Sequence, residues 1–288
     1  MFCPGNSALQ KEQVSCGRKN VTSQLINTKK WGACAQIKGL NMKNKMTVIH
    51  ATFRFAVAGL MLLGIAFRSL AGEIVIPPSD LPYGLSYQEW SAKWWQWYMG
   101  LRTNHIENVG SPDICSGPGS HVRFLYGAPG TTTATRDVSI GPDISLFFPI
   151  LGFIADNTAC PVSDVGTNTS AEVAAEVIGG WSAVTLTTCT IDGVAVEGLD
   201  NPVTSIYNIV SPAFSYTIAE KDSIISLVEG EDCIPGGMTI YPAVADGAYL
   251  MLAPLKPGKH KITFVGVYGP VDAPLLKLDI TYNVTALP

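Results

Sequence analysis

The chain has 288 residues and a formal net charge of -4, but the charge is unevenly divided: residues 1–71 carry ten Lys/Arg against one acid, and residues 72–288 carry nine against twenty-two. The acidic larger part excludes nucleic acid as a partner, because phosphate binding needs a basic face. Frequent Gly and Pro, without long apolar helical repeats, exclude a helical bundle and favour short strands joined by turns.

Residues 1–41 are polar, contain Cys3, Cys16 and Cys34, and show no sustained period. They read as an over-long start or a disordered extension. Residues 42–71 read as a secretory signal peptide. Lys43, Lys45 and Arg54 supply a basic region, residues 55–67 (FAVAGLMLLGIAF) an apolar run, and Ser69-Leu70-Ala71 a small-x-small cleavage site. The run is shorter than the roughly 20 residues needed to span the hydrocarbon core. No stable membrane anchor is therefore expected after cleavage. Glu73 stands where a lipidated Cys would be, so no lipid anchor is expected either. The expected location is periplasmic or extracellular.

Residues 72–288 read as a single β-rich domain. Ser86 and Glu89 have capping-box spacing, and Gly100 follows the last apolar position, so a helix is expected over 86–100. Trp90, Trp94 and Trp97 recur on one face of it. They read as an aromatic face packed on a sheet, with an aromatic platform for sugar or lipid as the alternative; Trp95 lies off the stripe and is expected to be exposed. A polar loop covers 102–120, and strands are expected at 121–126 and 144–150. After a loop over 156–169, Thr169 and Glu172 repeat the capping-box spacing and start a short helix to about Ile178. Residues 183–191 and 194–196 form a hairpin across Asp192-Gly193. Further strands follow at 205–210, 214–218, 249–252 and 259–267. In the last strand Leu276, Leu278, Ile280, Tyr282 and Val284 alternate with polar residues, giving one buried and one wet face. The expected class is mainly β: a β-sandwich, of which the immunoglobulin-like arrangement is one form, with an N-terminal Trp-rich amphipathic helix and one further short helix.

No nucleophile elbow, zincin helix, Walker loop or dinucleotide fingerprint is present. The candidates for acid–base work are His105 and Asp113 in the 102–120 loop, and His260 beside the Pro257-Gly258 turn. From Asp137 to Glu220 there is no Lys or Arg, yet acids recur. Such oxygens suit a hard cation, so calcium is the cofactor expected, with Asp156, Asn157, Asp164, Glu197 and Asp200 as candidate ligands. A solvated acidic surface is the plainer reading. Four cysteines, Cys115, Cys160, Cys189 and Cys233, fall in 72–288. An even number in an exported chain favours two disulfides, with the pairing open.

The stretches YQEWSAKWWQWYMGL, SLFFPI, TIDGVAVEGL, IVSPAFSYTI and PAVADGAYLMLAPLKPGKHKITF are similar to a family of exported bacterial hypothetical proteins. The resemblance spans most of residues 83–285. It implies bacterial origin and an extracytoplasmic location, and it carries over no catalytic residue. In that family a Cys often precedes the LFFPI-type strand. Here the region reads Arg136-Asp137-Val138-Ser139, which leaves Cys115 without that partner. Two functions follow as expectations. One is a non-catalytic envelope or secreted protein that binds a small molecule, carbohydrate, lipid or another protein. The other is a secreted, calcium-assisted hydrolase of small esters or lactones such as acyl lactones.

Overall fold

The computed structural model describes residues 74–102, 121–128, 130–158, 166–224 and 234–288. The signal region 42–71, the segment before it, and Cys115, Cys160 and Cys233 lie outside these residues.

Eleven strands are described, in two sheets. They are β1 (Val75–Ile76), β2 (Val122–Phe124), β3 (Thr132–Ile140), β4 (Ser145–Asp156), β5 (Val184–Ile191), β6 (Val194–Ala195), β7 (Asn208–Val210), β8 (Phe214–Thr217), β9 (Thr239–Leu252), β10 (Gly258–Tyr268) and β11 (Leu276–Ala286). The first sheet runs β1-β9-β4-β2, with β7 and β8 paired to other stretches of the long β9. The second runs β3-β11-β10-β5-β6. Pairing is antiparallel except for β2 with β4 and β3 with β11. The sheets pack face to face as a β-sandwich; Phe148 stacks on Phe264 across the interface, ring centroids 5.2 Å apart.

Two helices complete the fold, both begun as their sequences dictate. In α1 (Tyr87–Met99) the Ser86 hydroxyl accepts the Glu89 N–H, while the Glu89 carboxylate accepts the Ser86 N–H. In α2 (Ser170–Trp181) Thr169 and Glu172 do the same. This reciprocal cap satisfies two otherwise orphaned donors. The second helix runs three residues past Ile178, because Trp181 anchors its end: its indole N–H donates to Pro202 O at 3.1 Å.

The aromatics of α1 are buried against the outer face of the first sheet. Trp90 and Tyr87 pack on Phe147, Trp94 donates to Leu125 O (2.8 Å), and the Tyr87 hydroxyl accepts the Met251 N–H (2.8 Å). The packed-helix reading therefore holds. Trp95 corrects the expectation of exposure: it is buried, and its N–H donates to the Tyr249 hydroxyl at 2.7 Å. The helical stripe is wide enough to take it in because α1 lies in a trough of aromatic side chains rather than on a flat surface.

The first sheet is thus covered on both faces, by α1 outside and the second sheet inside. The second sheet keeps one face in water. Along β11, residues 276, 278, 280, 282, 284 and 286 are buried and alternate with more exposed polar ones, as the period-2 pattern predicts. Two strand expectations need correction. The sequence does not predict β3, because its ThrThrAlaThrArgAsp start carries few apolar residues; it is an edge strand whose outer positions face solvent. Nor does it predict the first ten residues of β9, because Pro242, Asp246 and Gly247 interrupt the apolar pattern in a strand that is buried on both faces.

Candidate functional site

Asp192 and Gly193 form the tip of the β5–β6 hairpin, both with positive φ (51° and 82°), as a tight hairpin turn requires. At that tip the Asp192 carboxylate points back along β10. Its Oδ1 accepts the Lys261 N–H at 2.8 Å, and its Oδ2 lies 2.7 Å from His260 Nδ1. The other ring nitrogen, Nε2, lies 2.7 Å from the Lys256 carbonyl oxygen. A carbonyl and a carboxylate both accept. Satisfying both contacts requires a proton on each ring nitrogen, which makes the ring a cation. Burial lowers the pKa of His260, but the Asp192 hydrogen bond, the Lys256 carbonyl and the Asp192 charge outweigh it and raise the value above the ordinary histidine range.

Asp192 and His260 are among the residues lining a cleft of about 530 Å³ at the β3–β11–β10 end of the second sheet; His260 pairs with the buried Val284, so it alternates with Lys259 and Lys261, which leave the outward face. The rest of the lining follows from strand register. Lys259 pairs with Thr285, which pairs with Ser139; Lys261 pairs with Asn283, which pairs with Asp137. These make two polar rows across β10, β11 and β3. Asn283 Nδ2 donates to Asp137 Oδ1 at 2.9 Å. The volume is of the size that holds small molecules, although the lining is more polar than in most such pockets.

Among the described residues, Asp156, Asn157, Glu197 and Asp200 do not line this cleft. His105, Asp113 and Asp164 lie outside the described residues. Asp156 uses Oδ1 to accept the Thr158 N–H and Oδ2 to accept the Tyr216 hydroxyl, both at 2.7 Å. Asn157 closes its own loop, donating to Asn168 O and accepting the Asn168 N–H, both at 3.0 Å. Glu197 and Asp200 are exposed. Among the described residues no three His, Cys, Asp or Glu side chains come together as a metal-binding group. Of the oxygens considered for calcium, those of Asp156 and Asn157 accept from Thr158, Tyr216 and Asn168. Cys189 carries a free thiol that is buried, and burial raises its pKa to about 12. No disulfide is found among the described residues, and Cys189 faces the core from β5 as a small apolar side chain.

One feature of the cleft was legible but overlooked. Residues 256–261 read KPGKHK, which puts three of the nine Lys/Arg of residues 72–288 into six positions. Asp192 reads from the sequence as a turn residue and as one of the acids of the 137–220 stretch. Its partnership with His260 spans 68 positions and has no local signal. Comparison with known proteins returned no matching family model, no similar curated protein and no similar solved structure.

Proposed function

We propose that this is an exported protein, periplasmic or extracellular, that binds a small polar ligand in the cleft on its second sheet without transforming it. The observation that supports this reading is the state of His260. A general base needs a lone pair on a ring nitrogen that can reach a substrate proton. Both nitrogens of His260 face acceptors at 2.7 Å, so the ring is saturated with protons and fixed in place. It ties the β5–β6 turn to the segment entering β10 and so fixes Asp192, on the cleft lining, as part of a rigid wall. A preformed, rigid wall favours binding by reducing the entropy lost when the ligand docks.

The test has two arms on the purified protein. In the first, melting is followed against a panel of sugars, sugar acids and short acyl compounds; the expected result is a rise in Tm with at least one of them. In the second, esters and lactones are offered with calcium and with chelator, and the expected result is no turnover. Turnover that depends on calcium would replace this reading with that of a hydrolase.

A further inference from the structure

Deepening that reading, and resting on it, we infer that the cleft takes an oxyanion, a carboxylate, phosphate or sulfate group, held between Lys259 and Lys261. The two residues are alternate positions of β10, so their side chains leave the same face about 6.8 Å apart along the strand. Neither has an ion-pair partner among the described residues, whereas Lys277, on the same face of the sheet, pairs with Asp279 at 3.5 Å. The Thr285 hydroxyl lies one strand from Lys259, and the Ser139 hydroxyl one strand further. Two ammonium groups flanked by hydroxyl donors are the chemistry that a multi-oxygen anion requires.

The carboxylates nearby do not cancel this charge. Asp192 is spent on His260 and on the Lys261 N–H. Asp137 is two strands from Lys261, about 10 Å away by strand spacing, and already accepts from Asn283. With His260 charged, its pair with Asp192 is neutral, so Lys259 and Lys261 against Asp137 leave the cleft net positive. The rest of the acidic domain repels anions. At physiological salt, however, charges beyond about 8 Å are largely screened, so a seated ligand senses chiefly this local set. Asp137, on the far wall, suits a hydroxyl or amino group on the same ligand.

The experiment titrates the purified protein with inorganic phosphate, sulfate and galacturonate, monitored by calorimetry or NMR shifts, for the wild type, K259Q/K261Q and K277Q. All three side chains leave the sheet toward solvent, and circular dichroism checks that the folds match. The expected result is binding of at least one probe by the wild type, weakened roughly tenfold or more in K259Q/K261Q and unchanged in K277Q. Which probe binds best separates a phosphorylated or sulfated ligand from a sugar acid. No binding of any probe, or equal weakening in K277Q, would overturn the inference. Binding of an uncharged ligand that K259Q/K261Q leaves intact would also overturn it while leaving the binding reading standing; turnover of an ester would remove that reading instead.

Discussion

Asp246 shows how one residue can set the pH dependence of the whole domain. It sits on β9, only 1% exposed, and one carboxylate oxygen has no hydrogen-bond partner among the described residues. Asn208 Oδ1, a diagonal neighbour on β7, is likewise buried and unpartnered. Burial raises the Asp246 pKa to about 7, and the only opposing influence is the Gly247 N–H. Because the folded pKa lies above the unfolded one, the native state prefers the proton. Stability is therefore full below about pH 4 and falls as pH rises to about 7, by about 4 kcal/mol. Asp246→Asn keeps the shape without the charge. Urea melts at pH 4 and pH 8 should show the variant gaining far more stability over the wild type at pH 8 than at pH 4; parallel profiles would refute the assignment. His260 also has a raised pKa, so the stability it adds is full below about 6.5 and is lost as pH rises through the raised value. Between pH 7 and 8 the slope that remains in Asp246→Asn should therefore be smaller in the double variant with His260→Gln. Trp95 gives a third measurable residue: Trp95→Phe removes the donor to the buried Tyr249 hydroxyl and should cost about 1–3 kcal/mol in a denaturant melt.

At the scale of elements, what the sequence revealed is what local chemistry controls. Both helices were legible because each opens with its own cap, Ser86 with Glu89 and Thr169 with Glu172. The β5–β6 hairpin was legible because Asp192-Gly193 admits positive φ, and β11 because one face is core and the other water. The strands that escaped notice lack those signals. In β3 the polar outer positions dominate the reading, and its partner β11 lies more than a hundred residues away in a parallel pairing that no turn announces. In β9, Asp246 and Gly247 break the apolar run for reasons found only in three dimensions: a Cβ at 247 would meet Leu151 O at 2.8 Å. The cleft was half legible for the same reason, since the lysines are neighbours in sequence and Asp192 is not. Local control also predicts a local effect. Thr169→Ala should destabilise by about 1 kcal/mol. Thr169→Ser should restore most of that; if both variants melt like the wild type, the cap is dispensable.

For the whole molecule, the decisive feature is how closely the two sheets approach. The first sheet is clothed on its outer side by the tryptophans of α1, so it must meet the second sheet on its inner side without gaps. Gly266 on β10 marks a tight place: a Cβ there would stand 2.7 Å from Leu151 Cβ and 3.1 Å from Ile150 O. Neither atom is the free end of a flexible side chain. Leu151 is held in β4, itself paired with β9, so relief requires the sheets to separate. Separation loosens the Phe148–Phe264 stack and the packing of Leu250 and Ile280, both wholly buried. Gly266→Ala is therefore an overpacking change that should cost roughly 1–3 kcal/mol, seen as a drop in Tm of about 2–12 °C for a domain of this size. The same strand carries Lys259 and Lys261 at its other end, with the His260 clamp between them. If the sandwich behaves as one rigid body, Gly266→Ala should lower Tm while leaving any anion affinity of the cleft unchanged at temperatures well below the transition. If affinity fell in step with Tm, the cleft would depend on the spacing of the sheets as well as on its own clamp. An unchanged Tm would mean that the interface has slack where the geometry indicates contact.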